Sequence, residues 1–249
     1  MWTRDARASE TLASEARRYA GTIWRVVETQ YKAATMRITD TLEEQALLEE
    51  ILEESKPLVP EDCRHLDYLL YTPFRYAPYP YGSRFRRAQQ PEGVFYASEV
   101  VETAIAETAF YRLLFFTESP EAKLPSSAGE YTAFSAHCAT TRHIDLTAAP
   151  FNRERAAWTH PSEYGACHDL ADTARTADIA IIRYESVRDP SHRANIAVLT
   201  CAAFADAAPR TLQTWHIFTR RHAVQARCET TRTQVEFRRE EFAGDPRVG

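Results

Sequence analysis

The pattern of hydrophobic and polar positions predicts helices in the first part of the chain. Residues 1–56 are expected to be mostly helical, with a short strand at Thr22–Val27, and Ser9 is a candidate N-cap for the first helix. The clearest helical period lies in Thr41–Ser55, where apolar residues recur at helical spacing with acidic residues between them. Pro57 ends this element, because proline cannot continue a helix from its interior.

The middle of the chain changes character. Residues 57–92 carry six prolines, so long helices and central strands are not expected there. A short strand is predicted at Val94–Ala97, and Ser98 is expected to cap the helix that follows. On that helix Glu107 lies on a stripe of small apolar residues. The carboxylate is therefore expected to have room beside it for a ligand.

The second half of the chain is rich in strand patterns. Strands are predicted at Tyr131–Thr140, His143–Leu146, Ile179–Tyr184, Asn195–Thr200, Gln213–Thr219, Ala223–Cys228 and Thr233–Phe237, with a helix at Pro161–Arg175. No internal repeat and no linker is evident. The sequence therefore predicts one α+β domain over residues 1–249, in which residues 1–70 form a largely helical N-terminal extension.

Composition and charge exclude several classes of protein. The chain has 249 residues, of which 44% are hydrophobic, and a net charge of −5. No apolar run approaches the roughly 18–20 residues that a membrane span needs, and the first twenty residues lack the pattern of a signal peptide. We therefore expect a cytoplasmic protein without membrane contact. The acidic balance also argues against direct nucleic-acid binding.

Cysteine and glycine usage narrow the candidate chemistry. The five cysteines, Cys63, Cys138, Cys167, Cys201 and Cys228, include no C-x-x-C pair. A disulfide framework and a structural metal site are therefore not expected, and scattered buried thiols are. The seven glycines form neither a dinucleotide-binding fingerprint nor a P-loop. Any phosphate would have to be held by side chains, for which arginine is best suited.

The stretch from Thr72 to Glu107 is dense in arginine, tyrosine and proline. Its four loop arginines, Arg75, Arg84, Arg86 and Arg87, allow three interpretations. A solvated basic loop is preferred for Arg86 and Arg87. Single-stranded nucleic acid would use the alternation of arginine with aromatic rings, but the acidic net charge opposes it. A small anionic ligand would be clamped by arginine and stacked by tyrosine.

Motifs in this stretch resemble the RES domain family. Gly82–Phe85 carries an arginine before an aromatic residue, Gly93–Ser98 a strand with a tyrosine, and Thr103–Glu107 an alanine-rich helix with a glutamate. A further family feature, a serine in a turn between two apolar strands, is matched by Tyr184–Pro190 followed by Asn195–Leu199. Together these motifs are similar to the family in order and in spacing.

Individual positions can be matched to the family pattern. Arg84, Glu107 and Ser186 match the three letters that name the family, and Tyr96 matches its tyrosine. The segment Trp24–Val27 looks like the opening strand of the family.

The resemblance covers roughly residues 23 to 237, with two departures. Ser83 stands where the family usually has a second glycine, and the insertion from about Lys32 to Tyr81 is longer than in minimal members. The insertion resembles that of a longer, ParT-like branch, whose signature is matched by Leu69–Tyr76.

The resemblance implies a fold and a function. The expected fold is ADP-ribosyltransferase-like, of the diphtheria-toxin type, with a mixed β-sheet core and flanking helices. The expected function is that of the toxin in a two-gene toxin–antitoxin system. Its substrate would be NAD, and no metal is implied. ParT-like members transfer ADP-ribose to a protein, with phosphoribosyl pyrophosphate synthetase a target in at least some.

The resemblance also assigns roles to residues. Catalytic roles are implied for Glu107, Arg84, Tyr96 and Ser186, and NAD binding for Arg84, Tyr96, Arg75 and Asn195. Breaking the nicotinamide–ribose bond builds positive charge on the ribose, which a nearby carboxylate stabilises. Glu107 is expected to supply that carboxylate, and Arg84, with Arg75, to bind the pyrophosphate.

Alternatives and partners complete these expectations. ADP-ribose could pass to water or phosphate instead of protein, which would deplete cellular NAD, or the chain could be a binding module without catalysis. The partner is expected to be an antitoxin of the Xre-type helix-turn-helix class that covers the cleft near Arg84 and Glu107. Thr72–Tyr81 is the expected rim for a protein substrate.

Overall fold

The computed structural model describes residues 6–29, 39–76 and 79–248. Within them the helices are α1 Ala6–Glu15, α2 Leu42–Glu54, α3 Tyr68–Arg75, α4 Val101–Glu118, α5 Arg155–Trp158 and α6 Gly165–Thr176. The strands are β1 Arg17–Glu28, β2 Phe95–Ser98, β3 Gly129–Asp145, β4 Ile181–Glu185, β5 Ala194–Val198, β6 Thr211–Thr219, β7 Ala223–Cys228 and β8 Gln234–Arg238. The predicted mixed α+β architecture, a sheet core with flanking helices, is confirmed.

The strands form one sheet that closes partly on itself. Its order is β1-β2-β5-β4-β3-β6-β7-β8, and β1 also pairs with β3. The β1–β3 pairing is antiparallel and runs from Arg17↔His143 to Glu28↔Tyr131. The strands β1, β2, β5, β4 and β3 therefore form a ring. Because β3 is 17 residues long, it also carries β6 on its other edge, and β7 and β8 follow.

The described residues form three hydrophobic clusters, of which two shape the ring of strands and the position of α4. All five ring strands contribute buried side chains to one cluster, including Ile23, Phe95 and Phe134. The second cluster packs α4 against β6 and β7, with Phe110 of the helix close to Trp215 of the sheet. Burying a side chain of this size contributes about 1.5–3 kcal/mol. This packing fixes α4 across the sheet. The helix residues outside the second cluster include Glu107, Thr108 and Arg112, here called the polar stripe of α4.

Several predicted boundaries move in the structure. Ser98 does not cap a helix; it is the last residue of β2, and α4 begins at Val101 with Val100 as its N-cap. Ser9 lies inside α1 rather than before it. The two strands predicted around residues 131–146 are one continuous strand, β3. The short helix α3 forms despite Pro73, because Asp67 caps its N-terminus by accepting a hydrogen bond from the Leu69 N–H.

The first 70 residues include a strand of the ring. The predicted strand at Thr22–Val27 is longer in the structure, where it is β1. Helix α2 forms as predicted and is capped by Thr41, but three of its four leucines are exposed; Leu42 is 73% exposed. Residues 32–38 and 77–78 of the predicted insertion lie outside the described residues. The assignment of residues 1–249 to a single domain with an N-terminal extension stays a prediction. None of the described helices combines the length and the apolar character that a membrane span requires.

The prediction of free thiols is wrong for two cysteines. Cys63 and Cys201 form a disulfide, with their Cα atoms 5.4 Å apart. It joins the turn before α3 to the turn after β5. Sequence spacing gave no signal, since the two residues are 138 positions apart. The other three, Cys138, Cys167 and Cys228, are free and buried as expected.

Loss of this disulfide should destabilise the fold. Cross-linking distant positions restricts the unfolded chain, so we expect reduction or Cys63→Ser to lower the free energy of unfolding by about 2–4 kcal/mol. Denaturant titration with and without reductant measures this difference. Cys228→Ala is the control that removes a thiol without breaking a cross-link. Equal midpoints under both conditions, together with five titratable thiols in unreduced protein, would contradict the prediction.

Candidate active site

A cavity of about 610 Å³ opens beside the polar stripe of α4. This volume is in the range of small-molecule binding pockets. Four of the six site residues predicted from the sequence line it: Arg84, Tyr96, Glu107 and Asn195. Ser186 is fully buried in its wall and touches Glu107. Residues far apart in the chain thus meet around one carboxylate.

The carboxylate of Glu107 is held through one oxygen. Oε1 accepts a hydrogen bond from Ser186 Oγ at 2.7 Å and another from Asn195 Nδ2 at 2.6 Å. Across residues 6–29, 39–76 and 79–248, no hydrogen bond is made to Oε2 and no basic side chain forms an ion pair with Glu107. The carboxylate is therefore fixed in place by neutral donors, and its second oxygen is left for a ligand in the cavity.

The turn after β4 determines the role of Ser186. Its Oγ accepts the N–H groups of Arg188 at 3.2 Å and Asp189 at 3.1 Å. A hydroxyl has one proton and two lone pairs. With both lone pairs occupied by N–H donors, the proton is directed at Glu107.

Asn195 is oriented in a similar way by its neighbour across the sheet. The Ser98 hydroxyl donates to Asn195 Oδ1 at 2.6 Å, and the two residues are directly paired between β2 and β5. Because the oxygen of the amide accepts from Ser98, its nitrogen faces Glu107. Ser98 thus supports the site from the end of a strand, although the sequence predicted it as a helix cap.

Arg84 is anchored in the cavity wall and is only 8% exposed. Its Nη1 donates to the carbonyl of Trp158 at 2.6 Å and its Nη2 to that of His160 at 3.0 Å. The guanidinium also lies 4.7 Å from the ring centroid of Tyr164. These partners are all uncharged, so Arg84 retains a full positive charge beside the cavity.

Tyr96 lines the cavity, and its hydroxyl supports the loop that carries Arg84. The hydroxyl is hydrogen-bonded to Ser83 Oγ at 2.9 Å and accepts the Phe85 N–H at 2.9 Å. Burial raises the pKa of this phenol, so it stays protonated at neutral pH. Ser83, where the family pattern has a glycine, therefore helps to bind Tyr96.

Arg75 is not brought to this site. It pairs with Glu53 at 2.6 Å and donates to the Pro57 carbonyl at 2.5 Å, so it anchors α2 instead of facing the cavity. Arg87 pairs with Asp169 and Asp172 at the surface, as the solvated-loop interpretation expects. The tyrosines of the predicted protein-binding rim, Tyr76, Tyr79 and Tyr81, are exposed but do not line the cavity.

Arg25 is a cavity residue to which sequence reasoning gave no role. It lies on β1, donates to the Tyr96 carbonyl at 2.7 Å and stacks on Phe95 at 5.0 Å. Burial lowers its pKa to about 10, which still leaves it charged at neutral pH. A single arginine inside the apolar segment Thr22–Val27 was the available signal. Four arginines therefore line the cavity: Arg25, Arg84, Arg112 and Arg188.

Arg188, next to the Ser186 turn, was also missed. It is 4% exposed and its guanidinium lies 4.0 Å from the ring centroid of Phe110 in α4. Its Nη2 donates to the Pro161 carbonyl at 2.6 Å and pairs with Asp245 at 2.7 Å. Asp245 is 2% exposed and is also bound by Arg247. The buried ion pair between Arg188 and Asp245 therefore connects the C-terminal part of the described chain to the turn that holds Glu107.

The chain matches a family model and is similar to a solved structure. A family model described as RES domain matches residues 59–220, more than half of the chain. Among solved structures, the chain is similar to the M. tuberculosis MbcT–MbcA toxin–antitoxin complex, at 11% sequence identity and a TM-score of 0.46. That match covers 96% of this chain and 98% of the other. No curated protein sequence matches the chain.

Proposed function

The chain belongs to the RES domain family, and from this membership we propose that it is the toxin enzyme of a two-gene toxin–antitoxin system. Its substrate is NAD, whose nicotinamide–ribose bond it breaks. It transfers the ADP-ribose to a cellular protein, of which phosphoribosyl pyrophosphate synthetase is one candidate. The finer fold assignment proposed with it is the ADP-ribosyltransferase-like, diphtheria-toxin type.

The held carboxylate of Glu107 is the observation that carries this proposal. Cleavage of NAD leaves positive charge on the ribose, and a fixed negative group stabilises such charge without having to reorganise. Glu107 is fixed through Oε1 by Ser186 and Asn195, and no basic side chain among the described residues neutralises it. Its Oε2 is therefore available to a sugar in the cavity.

Three residues of the inner part of the cavity, Arg25, Arg84 and Tyr96, fit the other parts of NAD. Arg25 and Arg84 supply positive charge for the pyrophosphate, as a dianionic group requires. Tyr96 also lines the cavity and offers an aromatic ring against which nicotinamide can stack. Two guanidinium nitrogens of Arg84 already donate to backbone carbonyls, so only some of its N–H groups remain free to bind a phosphate. Its contribution to NAD binding is therefore mainly electrostatic.

The proposed reaction involves NAD, the carboxylate of Glu107 and a nucleophilic side chain of the acceptor protein. The bond between the nicotinamide nitrogen and the ribose carbon breaks, and nicotinamide leaves with the electron pair as a neutral molecule. The cationic ribose, stabilised by Glu107, is then attacked by a nucleophilic side chain of the acceptor protein. The nucleophile loses its proton to Oε2 of Glu107 or to water. No metal is needed for either step.

The antitoxin is proposed to act at the same cavity. A partner of the Xre-type helix-turn-helix class would cover the opening near Arg84 and Glu107 and exclude NAD. The acidic net charge of the chain leaves DNA contact to that partner. A complex of the two proteins that still binds NAD with unchanged affinity would contradict this mode of inhibition.

Radiolabelled NAD and cell lysate test the proposed reaction. Release of nicotinamide together with a labelled protein band is the expected result. Nicotinamide release with only free ADP-ribose, or its phosphorylated form, would instead indicate an enzyme that destroys NAD. If the wild-type protein releases no nicotinamide, the proposed chemistry is wrong and the non-catalytic alternative gains support.

A further inference from the structure

The cavity continues along α4 well beyond Glu107. The cavity-lining stripe of the helix includes Glu107, Tyr111, Arg112 and Phe115. At 1.5 Å rise per residue, Phe115 lies about 12 Å along the helix axis from Glu107. Val26 and Tyr131 also line the cavity. The site thus has an inner part around Glu107 and an outer part, here called the outer lip, made of Arg112 and Phe115.

The outer lip exposes aromatic surface at the mouth of the cavity. Phe115 is 51% exposed, and Tyr111, which separates the lip from Glu107, is 55% exposed. Exposed aromatic side chains beside an arginine are typical of the surfaces through which proteins bind one another.

Arg112 is the charged component of the lip. It is half-buried, and its guanidinium lies 6.0 Å from the ring centroid of Phe115 and 5.3 Å from that of Phe116. Its Nε is buried without a hydrogen-bond partner. Among the described residues Arg112 forms no ion pair; Glu28 lines the same end of the cavity without pairing with it. A carboxylate approaching from outside the chain would satisfy this cation.

We propose that the outer lip docks the acceptor protein, through an apolar side chain packed on Phe115 and a neighbouring carboxylate bound by Arg112. This inference rests on the proposed function and deepens it, because it assigns the acceptor to a surface. Water or phosphate as the acceptor would not need such a surface. The lip is continuous with the cavity that holds Glu107, so a docked segment reaches the reacting sugar from the open side.

Two variants separate docking from cleavage. Arg112→Glu and Phe115→Ala are each expected to keep nicotinamide release from radiolabelled NAD within about twofold of the wild type. Each should lower label on lysate protein by about tenfold or more, the effect of losing one interface hot spot. Matched controls lie elsewhere on the surface. Arg220→Glu changes an arginine stacked on Phe218 at 4.5 Å, and Leu212→Ala removes a side chain that is 61% exposed.

The possible outcomes test the docking role of the outer lip separately from the proposed cleavage of NAD. Unchanged protein labelling in both variants would overturn the docking role. A parallel loss of nicotinamide release would also overturn it and would assign the lip to NAD itself. Wild-type protein that releases nicotinamide but labels no protein would overturn the docking role while leaving NAD cleavage intact. Wild-type protein that releases no nicotinamide would overturn the proposed function, and the docking role with it.

Discussion

Replacing Glu107 with glutamine should lower nicotinamide release from NAD by about 100-fold or more, the typical effect of removing one group that stabilises charge in a transition state. Glutamine has the shape of glutamate, and its carbonyl oxygen can still accept the hydrogen bonds of Ser186 and Asn195. The amide is neutral, however, so it cannot stabilise a cationic ribose. The geometry of the site is therefore retained while its charge is lost.

Nicotinamide release measured by chromatography, together with a thermal melt of each variant, checks this prediction. Glu102→Gln is the matched control, because Glu102 lies in the first turn of the same helix and does not line the cavity. The control should cleave NAD like the wild type, and both variants should melt close to it. A Glu107→Gln protein that is folded and fully active would remove Glu107 from the proposed chemistry.

Replacing Asp245 with asparagine should lower the free energy of unfolding by about 3–5 kcal/mol, the range observed when one partner of a buried ion pair is removed. Arg188 is left with its charge buried, since its side chain is only 3% exposed and, within the described parts of the chain, Asp245 is the one carboxylate paired with it. Because Arg188 follows the Ser186 turn, we also expect slower NAD cleavage from the protein that remains folded.

Denaturant titration of Asp245→Asn, of a double variant and of an exposed control, each compared with the wild type, tests the contribution of the ion pair. The double variant Arg188→Met with Asp245→Leu replaces both charges by apolar groups and should recover most of the lost stability. Asp206→Asn is the exposed control, because its pair with Arg210 lies at the surface and should contribute little. If the double variant is no more stable than Asp245→Asn alone, the cost does not come from an unpaired buried charge.

The same pair makes stability depend on pH. Burial alone would raise the pKa of Asp245, but hydrogen bonds from Arg247 and the charge of Arg188 outweigh burial and hold the pKa below its ordinary 3.8. The folded state therefore binds this proton less readily than the unfolded state. The stabilising contribution is complete above that ordinary value and is lost as pH falls below it. Asp245→Asn should show a correspondingly smaller loss of stability over that acidic range.

The sequence was sufficient for the parts of the site that rest on short motifs. The mixed α+β core follows from local patterns, and Arg84, Tyr96, Glu107 and Asn195 do line one cavity. Each could be found because it follows a recognisable local element: a turn, a strand end or a helix stripe.

Other features depend on contacts that no local pattern encodes. The direction of Arg75 is set by Glu53 on α2, and the sequence does not reveal that these two residues meet. The disulfide joins positions on opposite sides of the family motifs. Ser98 has a good helix-capping side chain, but the β2–β5 pairing engages it with Asn195 instead. Tertiary contacts override local preference at each of these positions.

The hydrogen bonds that Ser186 and Asn195 donate to Glu107 can form only after a later part of the chain has been synthesised. These two donors follow the glutamate by 79 and 88 residues in the chain. At elongation rates of roughly 5–20 residues per second, the ribosome adds those residues on the order of 4–18 s after Glu107. During that interval the growing polypeptide carries its key carboxylate without the groups that fix it. The arrangement that holds the carboxylate of Glu107 is therefore completed only once β5 has been translated and folded.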